Sequence, residues 1–340
     1  MKIKLKILFR TSGGRAKNTQ LGMGHIYRCI NLASCLENLE KYFLIEDYGG
    51  VKKVLEERGF NNILTIPAKI TLKNDLQKTI HFIKTKNIDI VIVDKYEADS
   101  RYIKEIKKKS KVVVISDLKK INYSADLVVN GFIGYENKIF VNKSKTKFML
   151  GPKYQILNKK FSKKLHVKKL YDLIVTFGGY DENKIIELFL KILIKYNNKL
   201  SVKVILGPAT KKTKYIKEIE EKFPNIEIVS KVNDLHRDIN SAKFGVCSGG
   251  ITTYEFESAG VPFAIICQHQ HQKITAREWN KKKIAIDLGF PNLRINNKIE
   301  RLIQNIINNE NLIKKKHHKI VDGKGTFRVE REILKIVQKE

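Results

Sequence analysis

Residues 22 to 31 read GMGHIYRCIN. Gly22 and Gly24 precede His25, and from Ile26 onward apolar residues recur three and four apart (Ile26, Cys29, Ile30, Ala33, Leu36), the spacing of one helix face. The glycines allow backbone conformations and close approaches that a side chain would block. His25 then stands at a helix start, where the positive dipole end disfavours the imidazolium and favours a neutral ring that can take a proton near neutral pH. General base catalysis is the chemistry this permits. A histidine that only caps or packs a turn fits an isolated G-x-G-H as well. A dinucleotide fingerprint fits less well: Glu46 and Asp47 end YFLIED at a suitable distance, but Tyr27 takes the third small-residue position. About a dozen residues also separate the first strand from the glycines, where a dinucleotide-binding turn is tight.

Two loops in the second half suggest a ligand for such a base. TFGGYDENK places Gly178 and Gly179 between a strand and a helix, and CSGGITTYE does the same with Ser248, Gly249 and Gly250. Junctions of this kind present backbone N–H groups and a helix dipole to phosphate. Each alone could just turn the chain. Two in one half, with Glu255 one helical turn beyond the second, point to a nucleoside diphosphate whose ribose hydroxyls a carboxylate holds. His269 and His271 in QHQHQ lie two apart without a carboxylate beside them in sequence, which argues against a metal site.

The elements that must position these residues alternate along the chain. Strand-like runs occur at IKLKILF, YFLIED, DIVIVD, KVVVISD and ADLVVN, then at YDLIVTF, VKVILG, IEIVS, FGVCS and FAIIC, with helix-period segments between them. This predicts an α/β fold of parallel sheets covered by helices. The rhythm restarts near residue 170, and ILNKKFSKKLHVKK (156–169) reads as a linker between two doubly wound halves, 1–155 and 156–340. Ligands of open α/β sheets bind at the carboxyl ends of the strands, so a cleft between the halves is the expected location.

The 340 residues are enough for two domains, and no apolar run approaches the roughly 20 residues of a membrane span. The N-terminus alternates Lys with Ile and Leu and lacks a signal-peptide core, so a cytoplasmic protein is expected. Cys29, Cys35, Cys247 and Cys267 lie in apolar segments without ligand spacing and read as reduced core residues. The net charge of +31 is spread among Ile and Asn along the chain, which fits a compositional bias better than a nucleic-acid surface. The densest run, KKKHHK (314–319) with His317 and His318, reads as a solvated helix face.

In order, GMGHIYRCINLA, VIVDKYEAD, GPKYQILNKKF, VTFGGYDENK, CSGGITTYEFESAGVPFAIIC and DGKGTFRVER resemble the UDP-sugar hydrolases of pseudaminic acid biosynthesis, which act on UDP-2,4-diacetamido-2,4,6-trideoxy-beta-L-altropyranose. Spore-coat polysaccharide proteins and MurG-type N-acetylglucosaminyltransferases share parts of the pattern. The resemblance spans most of the chain, and the histidine motif and SGGITTYE are its most specific parts. It implies a GT-B fold of two Rossmann-like domains facing a cleft, with a final helix crossing back to the first. It also implies water attack at the anomeric carbon with inversion, releasing UDP and free sugar without metal or cofactor. A monomer acting on a UDP-sugar, with neither nucleic acid nor membrane as partner, is the expectation.

By the same resemblance His25 is the base, Gly22 and Gly24 bring the loop close to substrate, and Arg28 and Tyr96 lie near it. Gly178, Gly179, Ser248, Gly249, Gly250 and Thr253 would surround phosphate, Glu255 would hold ribose, the backbone at Val232 uracil, and His271 and Gln272 the sugar. Tyr96 also fits an aromatic that covers the sheet end. Two positions depart from the hydrolase pattern: Lys95 stands where His is usual, and His271-Gln272 where Asn-Gln is usual, so that QHQHQ is closer to the sugar loop of the transferases. A single base suits the chemistry, because UDP is a good leaving group and needs no acid of the kind a glycosidase supplies. A transferase using the same donor is the alternative.

Overall fold

The computed structural model describes residues 4–14, 22–117, 123–136, 145–196, 199–208, 210–230, 232, 234–292, 294–310, 312–313 and 319–338. The KKKHHK run, apart from Lys319, lies outside them. The chain divides into two compact units, residues 1–159 with 323–340, and residues 160–322.

In the first unit the chain runs β1 (Lys6–Gly13), α1 (Gly24–Ala33), β2 (Glu40–Asp47), α2 (Val51–Glu56), β3 (Ile63–Pro67), α3 (Leu72–Lys86), β4 (Ile90–Asp94), α4 (Ser100–Lys107), β5 (Lys111–Ile115), β6 (Leu127–Asn130) and β7 (Lys147–Leu150). The seven strands are all parallel, in the order β3-β2-β1-β4-β5-β6-β7. β4 is IVIVD with every residue buried, as befits a central strand covered on both faces. The apolar stripe of α1, Ile26, Cys29, Ile30 and Ala33, is buried against Ile7 and Phe9 of β1. Strand order reverses between β1 and β4, so their carboxyl ends border the crevice of this sheet.

The second unit repeats the plan with β8 (Tyr171–Thr176), α5 (Ile185–Leu193), β9 (Val202–Ile205), α6 (Lys214–Lys222), β10 (Ile226–Val229), α7 (Leu235–Asn240), β11 (Ala242–Cys247), α8 (Thr252–Ala259), β12 (Phe263–Ile266), α9 (Gln272–Lys281), β13 (Ala285–Gly289) and α10 (Ile295–Ile307). Its six parallel strands are ordered β10-β9-β8-β11-β12-β13. The last helix, α11 (Gly325–Val337), belongs to the first unit, where Val329 and Ile333 are buried in the same core as α1.

Three strands were not among the sequence-predicted runs: β3, β7 and β13. Each closes an edge of its sheet. Edge strands bury only part of their length, and β3 exposes Leu64, Thr65 and Pro67, so the apolar run that marks a central strand is missing. The segment read as a linker is anchored at both ends. Ile156 and Leu157 are buried, and Leu157 exchanges two hydrogen bonds with the Thr326 hydroxyl of α11, at 3.0 and 2.6 Å. Phe161 is buried in the second unit, its ring 4.8 Å from that of His236.

On the face of the first sheet opposite α1, a charged network is buried. Arg10 of β1 is 0% exposed and grips Asp75 of α3 through Nε to Oδ1 at 2.8 Å and a second bond from Nη2 to Oδ2. Lys95 donates to Glu46 and lies 3.4 Å from Asp75 and 3.1 Å from Glu97. Tyr102 and Thr79 add hydroxyl donors to Asp75 at 3.0 and 3.2 Å. Burial pushes the Asp75 carboxyl up, but Arg10, Lys95 and Tyr102 together hold it below its ordinary value. Removing one charge leaves the others uncompensated in a dry site. Asp75→Asn is therefore expected to cost about 3–5 kcal/mol in the urea transition of this unit. Lys52→Ala, which removes an exposed pair with Glu56 at 3.9 Å, should shift the same transition by less than about 1 kcal/mol.

Candidate functional site

His25 and Arg28 lie one helical turn apart on α1, so both side chains reach the carboxyl end of β4, where Asp94 is 0% exposed. The His25 ring stands with Nδ1 2.7 Å from Asp94 Oδ1. Arg28 donates from Nε to Asp94 Oδ2 at 2.8 Å and from Nη2 to Oδ1 at 2.6 Å. Its Nη1 donates to Asp117 Oδ1 at 2.6 Å, just beyond β5. A carboxylate accepts, so His25 Nδ1 carries the proton and, in the neutral ring, Nε2 is left with a free lone pair. Nε2 lies 3.6 Å from Asp117 Oδ2. The His25 side chain keeps 13% exposure.

Electrostatics at this site correct the expectation of a suppressed imidazolium. Burial, the strongest influence, lowers the His25 pKa, and Arg28 lowers it further, but the charge and hydrogen bond of Asp94 together with the charge of Asp117 raise it above its ordinary 6.5. Two carboxylates outweigh burial and the nearby guanidinium. Burial pushes the Asp94 carboxyl up, yet Arg28 and His25 hold it well below the usual carboxylate range. Asp94 and Asp117 were not among the sequence-predicted site residues. The signal available was an acid ending each of two neighbouring strand runs, DIVIVD and KVVVISD.

Arg28 is placed differently from its expected role near substrate. Its guanidinium is 5% exposed and divided between Asp94 and Asp117, so it braces the site from behind. Gly22 has φ +51°, a conformation that favours glycine, and its carbonyl accepts from Gly14 N at 3.0 Å. Gly24 opens α1 and is exposed. Tyr96 is 52% exposed beyond β4, so it does not cover the sheet, while its neighbour Lys95 turns inward to Glu46.

In the second unit the two glycine loops follow the adjacent strands β8 and β11, whose ends align at Thr176 and Cys247. They differ at the helices they lead into. The N-terminus of α5 is filled by the chain's own Asp181, which accepts from Ile185 N at 2.9 Å and Ile186 N at 2.8 Å. Gly178 and Gly179 therefore do not lead to an open anion-binding helix end, contrary to the sequence expectation. The N-terminus of α8, after Ser248, Gly249 and Gly250, has no side-chain cap, and neither has that of α9 at His271. These two helix ends meet at Gly249, where a Cβ would come within 2.8 Å of Gln272 Cβ and 2.9 Å of its carbonyl oxygen. Only glycine permits that approach.

Thr253 is fully buried, donating its hydroxyl to Gly250 O at 2.8 Å and accepting from Trp279 Nε1 at 3.0 Å. It supports the loop from inside, and its hydroxyl does not point to a phosphate. Gln272 accepts from Gln268 N at 2.8 Å, and Gln268 donates to Phe177 O at 2.8 Å, which joins the β12–α9 loop to the end of β8. Glu255 lies in the first turn of α8, its carboxyl pushed up to about 7 by burial against an opposing hydrogen bond from Thr252. His271 is exposed and stacks on His269 with ring centroids 5.4 Å apart, and His269 Nδ1 lies 3.7 Å from Glu182 Oε2. A carboxylate thus stands near the pair, although the described residues hold no group of three or more metal-ligating side chains. Val232 is half-buried between β10 and α7, and residues 231 and 233 beside it lie outside the described residues. All four cysteines are buried and free, and no helix among the described residues is long and apolar enough to cross a membrane.

No family model matches the chain. An uncharacterized protein of Methanocaldococcus jannaschii is 28% identical over 299 residues, which are 82% of this chain and 59% of that protein, so the chain spans little more than half the relative's length. The spore coat polysaccharide biosynthesis protein SpsG of Bacillus subtilis is 27% identical over 330 residues, 91% of this chain and 93% of SpsG. Among solved structures, MurG of Acinetobacter baumannii matches with a TM-score of 0.65 at 15% identity, over 98% of this chain and 100% of that one. The MnaA–UDP structure of S. aureus matches with a TM-score of 0.62 at 13% identity, over 98% and 97%. At such identities the likeness is one of fold. With the two parallel, helix-covered sheets it assigns the chain the GT-B fold.

The His25 environment makes a measurable claim. Because the folded-state value is raised, protonated His25 adds stability that is full below about pH 6.5 and is lost as pH climbs through the folded value. NMR titration of the ring should place its pKa above 6.5. In Asp94→Asn it should fall, since the charge and hydrogen bond that raise it are lost. An unmoved midpoint would show that Asp94 does not set the charge state of the ring.

Proposed function

We propose that this chain is a UDP-sugar hydrolase that releases UDP and a free amino sugar, UDP-2,4-diacetamido-2,4,6-trideoxy-beta-L-altropyranose or a close relative being the substrate. In this reading it acts in the cytoplasm as a monomer, in nonulosonic acid synthesis for surface polysaccharide. The observation that carries it is the His25–Asp94 pair: Nδ1 held at 2.7 Å by a buried carboxylate leaves Nε2 as an oriented base. Support also comes from the motif order in the sequence, from the relation to SpsG, and from a fold shared with MurG and with a protein solved with UDP.

The chemistry is short. Water loses a proton to His25 Nε2 as its oxygen bonds to the anomeric carbon, and the bond from that carbon to the diphosphate oxygen breaks, its electron pair leaving with UDP. Attack opposite the leaving group inverts the anomeric configuration. The diphosphate belongs at Ser248, Gly249 and Gly250, where the uncapped N-termini of α8 and α9 meet and backbone N–H groups and helix dipoles favour negative charge. Glu255 serves the ribose hydroxyls. No metal is required, since the leaving group departs as a stable anion.

The second reading, a glycosyltransferase with the same donor and base, is favoured by the QHQHQ loop, in which His271 is exposed at the start of α9. The two readings part on one assay. Incubation with the altropyranose UDP-sugar in EDTA without acceptor, followed by proton NMR, should show free sugar of inverted anomeric configuration. UDP release only on addition of an acceptor would establish the transferase. His25→Asn should lower kcat by about 10²–10⁴-fold while UDP affinity stays within about twofold. Glu255→Ala should weaken UDP about tenfold by calorimetry, about 1.4 kcal/mol. Unchanged affinity would remove Glu255 from the nucleotide site. The ascending limb of kcat/KM should lie above pH 6.5, because the neutral ring is the active form.

A further inference from the structure

Asp117 follows β5 and has no role in the reading above. Its side chain is 22% exposed, and its position is held from two directions. Arg28 Nη1 takes Oδ1 at 2.6 Å, and the main-chain carbonyl accepts from the buried Asn130 Nδ2 at 2.5 Å. With Oδ1 occupied, Oδ2 stands 3.6 Å from His25 Nε2. That separation is too long for a direct hydrogen bond, and it is one that a single oxygen at about 2.8 Å from each atom would bridge.

We propose that Asp117 is a second catalytic residue: Oδ2 and His25 Nε2 together seat the attacking water, each accepting one of its two hydrogen bonds. This rests on His25 being the base. One acceptor fixes a single O–H direction and leaves the molecule free to rotate about it. Two acceptors fix the plane, so that the lone pairs of water point away from both, toward the carbon to be attacked. The proton on the Nε2 side moves to His25 as the C–O bond forms, the other hydrogen stays on the attacking oxygen while hydrogen-bonded to Asp117 Oδ2, and the bond from carbon to the diphosphate oxygen breaks with its electron pair leaving on UDP. The imidazolium so formed lies between Asp94 and Asp117, which stabilise it. The charged groups facing the ring are Asp94 from β4, Asp117 from beyond β5, Arg28 from its own helix and, farther away, Glu97 from the loop after β4. A sugar hydroxyl carries one hydrogen and could not donate to both acceptors, so the seat is specific to water and the proposal rests on the hydrolase reading.

The test compares wild type, His25→Asn, Asp117→Asn and Asp117→Glu. Asp117→Asn removes the charge, and Asp117→Glu keeps the ion pair with Arg28 while displacing the second oxygen. Both should lower kcat at least tenfold with KM and UDP affinity within about twofold. Asp117→Asn should also move the ascending pH limb, and the His25 midpoint read by NMR without substrate, to lower pH, whereas Asp117→Glu should leave that midpoint raised. Wild-type kcat in both variants overturns the proposal and leaves the hydrolase reading intact. Loss of kcat with an unmoved His25 midpoint in Asp117→Asn also overturns it, because Asp117 would then act only through packing. Full turnover by His25→Asn instead removes the base reading itself. Transfer to an acceptor without hydrolysis by the wild type removes the hydrolase reading itself, and the two-acceptor seat with it.

Discussion

Asp94 is a carboxylate with no access to water at the end of a central strand, and the first unit is arranged around the need to compensate it. An unpaired charge there would be intolerable in a medium of low dielectric. Compensation comes from one helix: His25 and Arg28, three residues apart on α1, supply three nitrogens to its two oxygens. That requirement sets where α1 begins and which face it turns to the sheet. It also ties α1, which follows β1, to β4, the strand hydrogen-bonded to β1 across the reversal of strand order. Arg28 then extends the arrangement to Asp117 beyond β5, so one buried carboxylate organises the carboxyl ends of two strands and the start of a helix.

The next residue in the chain is Lys95, which turns to the other face of the sheet. There it joins Glu46, Asp75 and Arg10, while Glu46 also accepts from Tyr48 OH at 2.7 Å and from Lys69 N at 2.8 Å. Loops after β2, β3 and β4 are thereby held by one carboxylate. β4 is pinned from both faces at consecutive residues, and Tyr96, the next residue, is exposed. If His25 is the base proposed above, this double anchoring supplies the precision needed at Nε2, since a ring whose partner could shift by an ångström would lose its orientation.

How much of this the sequence discloses follows from the physics of each signal. Central strands such as IVIVD are legible because burial on both faces demands an unbroken apolar run, whereas the edge strands β3, β7 and β13 are each buried over only part of their length. The α1 stripe is legible from its period, and His25 from its glycines. Asp94 and Asp117 carry no period and no spacing to His25, since contacts 69 and 92 residues apart in sequence arise from strand order alone. The raised His25 pKa was hidden for the same reason: a helix start is visible in one dimension, and the carboxylates that raise the value appear only when β4 and β5 are placed beside α1. Arg28 is expected near substrate from the resemblance alone, whereas the anions it pairs with in the structure are internal.

The two glycine loops of the second unit make the same point about local patterns. Both are strand–glycine–helix junctions, and from residue types alone they are equivalent. Asp181 separates them: its carboxylate supplies α5 with the anion that a helix N-terminus attracts, so the first loop is already satisfied. Nothing comparable follows Ser248. There the chain uses Gly249 to bring the ends of α8 and α9 together, braces Gly250 from inside with Thr253 and Trp279, and leaves both helix ends without a side-chain cap. Neither helix end has a side-chain cap, which distinguishes the second loop from the first and is the ground on which the proposed reading puts phosphate there.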